Sequence, residues 1–86
     1  MTIFFPDEWH LNPLNTCLEF RAEVDGVRRM CEISSEALSD HFGAANHRNA
    51  ELLAAFERGR TVIYEVARAR LIADPTGRCL LISAHF

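Results

Sequence analysis

Arg60 stands where an apolar residue is expected, which makes it the first residue to question. On a helix turning ~100° per residue it projects into the same arc as Phe56, Ile63 and Ala67. A buried charge without a counter-charge is strongly destabilising, so the guanidinium has to reach water or an anion. The expected internal partners are Glu36 or Asp40, or a terminal carboxylate at Phe86. The functional alternative is a carboxylate from outside, on an acidic ligand or another chain, gripped bidentately by the guanidinium. Arg60 is therefore the one candidate binding residue.

Other chemistry-bearing residues fall short of a constellation. Ser39-Asp40-His41 holds triad residue types, but adjacent helix residues point ~100° apart and cannot assemble a triad among themselves. No Gly-x-Ser-x-Gly turn is present to expose a nucleophile. His10, His41, His47 and His85 lack the i, i+4 or short-loop spacing that pre-organises metal ligands. No glycine-rich loop joins a strand to a helix, so nucleotide binding of the P-loop or dinucleotide type is not supported. No catalytic residue, cofactor or metal is expected. Cys31 reads as a small core residue, because apolar burial raises a thiol pKa and makes it inert.

Composition narrows the classes further. The chain has 86 residues and an apolar fraction of 49%, consistent with one globular domain spanning 1–86 and a thin core. Its net charge is −3, which argues against a dedicated binder of nucleic acid or anionic membrane. All nine basic residues are Arg. The three cysteines, Cys17, Cys31 and Cys79, form no Cys-x-x-Cys pair. Free thiols and the lack of a basic, apolar leader at Met1–Pro6 imply a cytoplasmic protein. No run approaches the ~20 apolar residues of a membrane span.

The elements that must position these residues can be read in order. Thr2–Phe5 reads as a short edge strand stopped by Pro6. Asp7–Thr16 reads as a loop from which Trp9 folds back over the core. Asp25-Gly26 is a two-residue type I′ turn, so paired positions across it sum to 51. One hairpin face then collects Leu18, Phe20, Ala22, Val24, Val27, Cys31 and Ile33, with Arg29 reaching water from it. The other face collects Glu19, Arg21, Glu23, Arg28, Met30 and Glu32. Cys17 and Cys31 fall on opposite faces, so no disulfide between them is expected.

Ser34 caps a helix over 35–42, with Glu36 in its first turn and Gly43 as its stop. A second helix starts near 46–49 and runs to about Ala73, burying Leu52, Phe56, Ile63 and Ala67 with Leu53 and Leu71 beside them. Gly59 near that stripe permits close approach to the sheet or a mild kink. This helix carries Arg48, Arg58, Arg60, Arg68 and Arg70 against Glu51, Glu57 and Glu65, with Glu57–Arg60 and Glu65–Arg68 at i, i+3. Asp74-Pro75-Thr76-Gly77 turns into a last strand over 78–86, with Leu80, Ile82, Ala84 and Phe86 on its inner face. The fold class is α+β: a small, mainly antiparallel sheet of three to four strands in the order ββ(β)ααβ, with a short and a long helix on one face.

These residues also resemble a family. Phe5-Pro6 with Trp9, Phe20-x-Ala22-x-Val24-Asp25-Gly26, Cys31-Glu32-Ile33-Ser34, Ala37-Leu38, Phe42-Gly43-Ala44 and Phe56-x-x-x-Arg60-x-x-Ile63-x-x-x-Ala67 are similar, in order and spacing, to the domain-of-unknown-function 1488 family of small bacterial proteins. The resemblance covers nearly the whole chain and implies a compact α+β fold. It implies no activity, cofactor or catalytic residue. The expected function is a non-enzymatic binding or accessory module acting through a protein partner or a homodimer. The alternatives are a small regulatory nucleic-acid-binding protein and, behind it, an enzyme of unrecognised type.

Overall fold

A computed structural model describes residues 1–14 and 16–86. Strands β1 (Ile3–Phe4), β2 (Trp9–Leu11), β3 (Leu18–Val24) and β4 (Val27–Ile33) come first. Helices α1 (Ser35–Phe42) and α2 (Asn49–Ala73) follow, then β5 (Cys79–Leu81) and a 3-10 turn over Ser83–His85. β1 and β2 lie antiparallel along different parts of β3, which pairs antiparallel with β4; β5 runs parallel to β4 at the far edge. The architecture is α+β, a mixed five-stranded sheet, one strand more than the sequence reading allowed.

The β3–β4 hairpin has the expected register. Val24 pairs with Val27, Glu23 with Arg28, Phe20 with Cys31 and Leu18 with Ile33. Asp25 at φ 51° and Gly26 at φ 81° supply the two left-handed residues that a type I′ turn needs. An added Cβ at Gly26 would meet nothing within 4 Å. Gly26→Ala is therefore expected to cost about 1 kcal/mol from backbone strain alone. The measurement is a urea midpoint; a loss above about 2 kcal/mol would mean that the turn is packed and not free.

The sheet buries one face. Leu18, Phe20, Ala22, Val24, Cys31 and Ile33 meet Leu52, Ala55, Phe56, Ile63, Ala67 and Leu71 of α2. Val27 departs from the expected inner set and is exposed, since it stands at the hairpin tip. Arg29 also departs from expectation: it is half-buried and donates to the Gly77 carbonyl in the turn before β5, instead of reaching into water. The outer face carries charge, with Glu19 2.7 Å from His10, Arg21 2.8 Å from Glu8 and Arg78 3.2 Å from Glu32.

α1 is capped as expected: the Ser34 hydroxyl accepts from the Ala37 amide, and Gly43 at φ 76° ends the helix. The guanidinium of Arg58 donates twice to the Phe42 carbonyl, at 2.9 and 3.2 Å, satisfying an end carbonyl that the helix leaves open. Gly59 makes its close approach to α1, not to the sheet. The Phe42 ring lies where a Gly59 side chain would begin.

Two local readings need correction. Trp9 is not on a loop: with His10 and Leu11 it forms β2, opposite Phe20, Glu19 and Leu18. The part of the expected loop at position 15 lies outside the described residues. The last strand is shorter than 78–86 and turned over. Cys79 and Leu81 face the core, Leu80 is half-buried, and Ile82 is exposed before the chain curls into its 3-10 turn. The reason is register: Cys79 and Leu81 align with Cys31 and Ile33, which already face inward. Phe86 is half-buried at the rim, edge-on to Phe42 at 5.2 Å.

Candidate functional site

Helical spacing sets Arg60, Tyr64 and Arg68 in a row, one turn apart, along the flank of α2 that faces β1 and β2. The row meets the rings that those strands and their connection present. The Arg60 guanidinium lies 5.2 Å over the Trp9 ring, and that of Arg68 lies 5.7 Å over Phe5. Between them Tyr64 stacks on Phe5, with centroids 4.3 Å apart and planes 7° from parallel. Phe56 backs Trp9 at 5.1 Å, and Phe20 closes the base beneath Phe5, Phe56 and Tyr64. Each guanidinium is thus attracted by a ring face while its N–H edges stay open to other partners.

Arg60 does not pair with Glu36, Asp40 or the terminal carboxylate. Its Nη1 lies 3.4 Å from Oδ1 of Asp7, in the connection between β1 and β2. The physical reason is that Arg60 leaves α2 on the β1–β2 side, whereas α1 packs on the other. The side chain is 42% exposed and Asp7 80% exposed, so this one long contact in water holds Arg60 weakly. The expected i, i+3 pairs are not the contacts formed either. Arg68 donates to the Ile3 carbonyl at 3.4 Å.

The Tyr64 hydroxyl is buried and has no hydrogen-bond partner. Burial pushes its pKa up; the Arg60 charge opposes that shift and the Asp7 charge adds to it. Sequence reasoning singled out Arg60 but missed Asp7, Tyr64, Phe5 and Arg68. The four-residue spacing of Arg60, Tyr64 and Arg68 was the available signal. Nothing local could have shown Asp7, 53 positions away.

A second concave surface lies along the C-terminal half of α2. Val66, Ala69, Arg70 and Ala73 line an open groove of about 430 Å³ with Glu65 and His85. Arg70 and His85 approach to 3.2 Å at its edge. Ser39, Asp40 and His41 do not converge. Asp40 accepts from the Ser83 hydroxyl at 2.7 Å, Ser39 donates to the Ala44 carbonyl, and His41 contacts the Ser83 carbonyl. Among the described residues no three His, Cys, Asp or Glu side chains gather as a metal site requires. Among the described residues no helix is long and apolar enough to cross a membrane.

A family model described as "Protein of unknown function (DUF1488)" matches residues 3–81. The chain belongs to the DUF1488 family. A solved structure is similar over 94% of both chains, with a TM-score of 0.76 and 27% identity: a DUF1488-family protein of unknown function from Shewanella loihica PV-4. No curated protein matches. The family thus agrees with the resemblance read from Phe5 to Ala67, and it brings no activity to this DUF1488 chain. What the chain can do has to be argued from its own surface.

Proposed function

We propose that this protein is a binding module that grips a carboxylate of a partner protein through Arg60. The observation that carries the reading is the state of that guanidinium. It is oriented by Trp9 beneath it, exposed at its edge, and held by one 3.4 Å contact to an exposed aspartate. An arginine pre-set over a ring loses less freedom on gripping a carboxylate than a free one does. Asp7 occupies the place that an external carboxylate would take, and water lets it leave. Tyr64 and Arg68 continue the surface, so a short acidic segment would find a second cation two helical turns, about 12 Å, along α2.

The test replaces Arg60 with Met, which keeps the apolar stem over Trp9. The probe is a short acidic peptide titrated against the full chain, followed by the Trp9 indole signal and by the urea midpoint. The expected result is at least a tenfold loss of peptide affinity with a midpoint change under about 1 kcal/mol, in the range of an exposed ion pair. A lost midpoint with affinity retained would make Arg60 a structural ion pair. No change in either would make it a bystander.

A nucleic-acid reading draws on the same row, because arginine and aromatic side chains together suit single strands. It predicts retention on heparin that falls steeply with salt, and equal loss from Arg60→Met and Arg68→Met. The net charge of −3 and the guanidiniums already lying on the Trp9 and Phe5 rings favour the carboxylate.

A further inference from the structure

Cys31 and Cys79 are brought side by side by the parallel pairing of β4 with β5. They are direct partners in the β4–β5 register and both face the core. Neighbouring strands stand about 4.8 Å apart, inside the roughly 4.4–6.8 Å that the Cα atoms of a disulfide span. Each thiol perturbs the ionisation of the other, as adjacent buried groups do.

Their surroundings are unequal. Cys31 is fully enclosed on a central strand; Cys79 is 3% exposed, on a three-residue strand at the sheet edge. Arg29, from β4, and Arg70, from α2, both act on Cys79, and the Nε of each is buried without a hydrogen-bond partner. Glu32 is the acidic group that opposes them. The adjacent Cys31 thiol, with the two arginines assisting, draws Cys79 down against burial. The adjacent Cys79 thiol and burial push Cys31 up. Cys79, on the short edge strand, is the thiol a reagent reaches first, and Cys31 waits beside it on the central strand. Reagent access needs local opening of β5, the kind of short edge element that opens most readily.

We propose that Cys79 and Cys31 are a reversible redox pair, in which a hydroperoxide oxidises Cys79 and Cys31 then closes a disulfide that staples β5 to β4. In the first step the Cys79 thiolate attacks the peroxide oxygen. The O–O bond breaks, the alcohol or water leaves, and Cys79 becomes a sulfenic acid. In the second step the Cys31 sulfur attacks the Cys79 sulfur and expels water. The sum is two thiols and one hydroperoxide giving one disulfide, one alcohol (or water) and one water. A thiol reductant reverses it by exchange. The bridge closes a loop holding both helices and thereby constrains the unfolded chain. It gives the core residue Cys31 a second role, and it does not rest on the carboxylate reading of Arg60.

The test treats the full chain with hydrogen peroxide, removes the peroxide, blocks remaining thiols as the chain is unfolded in denaturant, and maps peptides without reduction. The expected result is a fall from three thiols to one with no bridge between chains, and with peptides joined through Cys31 and Cys79. Tm is expected to rise by roughly 8–16 °C and to return with dithiothreitol. Cys17→Ala keeps the bridge and the Tm rise, with its two thiols falling to none. Cys31→Ala leaves a sulfenic acid on Cys79 that dimedone traps, whereas Cys79→Ala leaves Cys31 unlabelled. Both variants replace a thiol by a small apolar group, so the core persists. Survival of three thiols after peroxide, a bridge to Cys17, or dimedone on Cys31 in the Cys79→Ala chain would each overturn the proposal.

Discussion

Phe56→Ala is expected to lower stability by about 3–5 kcal/mol, the range for emptying a buried aromatic site. The ring is fully buried and meets Phe20 at 5.4 Å, Trp9 at 5.1 Å and Tyr64 at 6.2 Å. Those neighbours belong to three elements, so no single shift can fill the space. A small domain holds only about 5–15 kcal/mol in total, and this loss leaves it close to unfolding. Urea denaturation measures it. Trp9 fluorescence supplies a second readout, because Phe56 is what backs the indole. Acidic-peptide affinity should fall along with stability, in contrast to Arg60→Met, where affinity falls alone. Phe56→Leu keeps most of the volume and is expected to cost under about 1.5 kcal/mol. A Phe56→Ala chain within about 1 kcal/mol of the parent would mean that the site collapses freely and that Phe56 is not the hub of the ring cluster.

Gly59→Ala is the second large effect, and two opposing terms decide its sign. Alanine in a helix interior gains about 1 kcal/mol over glycine. Against that, the added Cβ would lie 2.1, 2.5 and 2.8 Å from three ring carbons of Phe42. The ring cannot step aside at little cost, since Phe86 packs edge-on against it at 5.2 Å and His41 lies on the same rim. Overpacking of this kind costs about 1–3 kcal/mol, and contact with three atoms places it at the upper end. The expected net loss is about 2 kcal/mol. A double-mutant cycle isolates the cause: in a Phe42→Ala background, Gly59→Ala should turn neutral or stabilising. If the loss persists there, the clash with Phe42 is not its source.

How far the structure was legible varied element by element. The hairpin was readable because the Asp25-Gly26 turn and the alternation from Leu18 to Ile33 demand the same register. α1 was readable because Ser34 and Gly43 mark both ends, and α2 because Leu52, Phe56, Ile63 and Ala67 recur at helical spacing. β2 was hidden because three residues between Pro6 and Pro13 carry too short a pattern to outweigh two breakers. The inner face of β5 was misread because both alternations there are largely apolar. Leu80-x-Ile82-x-Ala84-x-Phe86 looks the better core stripe, but the chain leaves the sheet after Leu81. The site was legible only as an anomaly. An arginine in an apolar arc was visible; its carboxylate partner and the rings beneath it come from the other end of the chain and needed the fold to meet it.

The two borders of the sheet are also short. One is shared by β1 and β2, two and three residues long and separated around Pro6, which has no amide hydrogen to donate. The other is β5, three residues long. A strand from any other molecule could lay down only a few rungs of ladder at either border before the chain turns away. Long unbroken borders invite runaway stacking of copies, and breaks and brevity are how natural sheets resist it. A protein built this way is a poor acceptor for main-chain strand exchange. Selectivity for the carboxylate partner proposed above would then be written in side chains, where single substitutions can rewrite it.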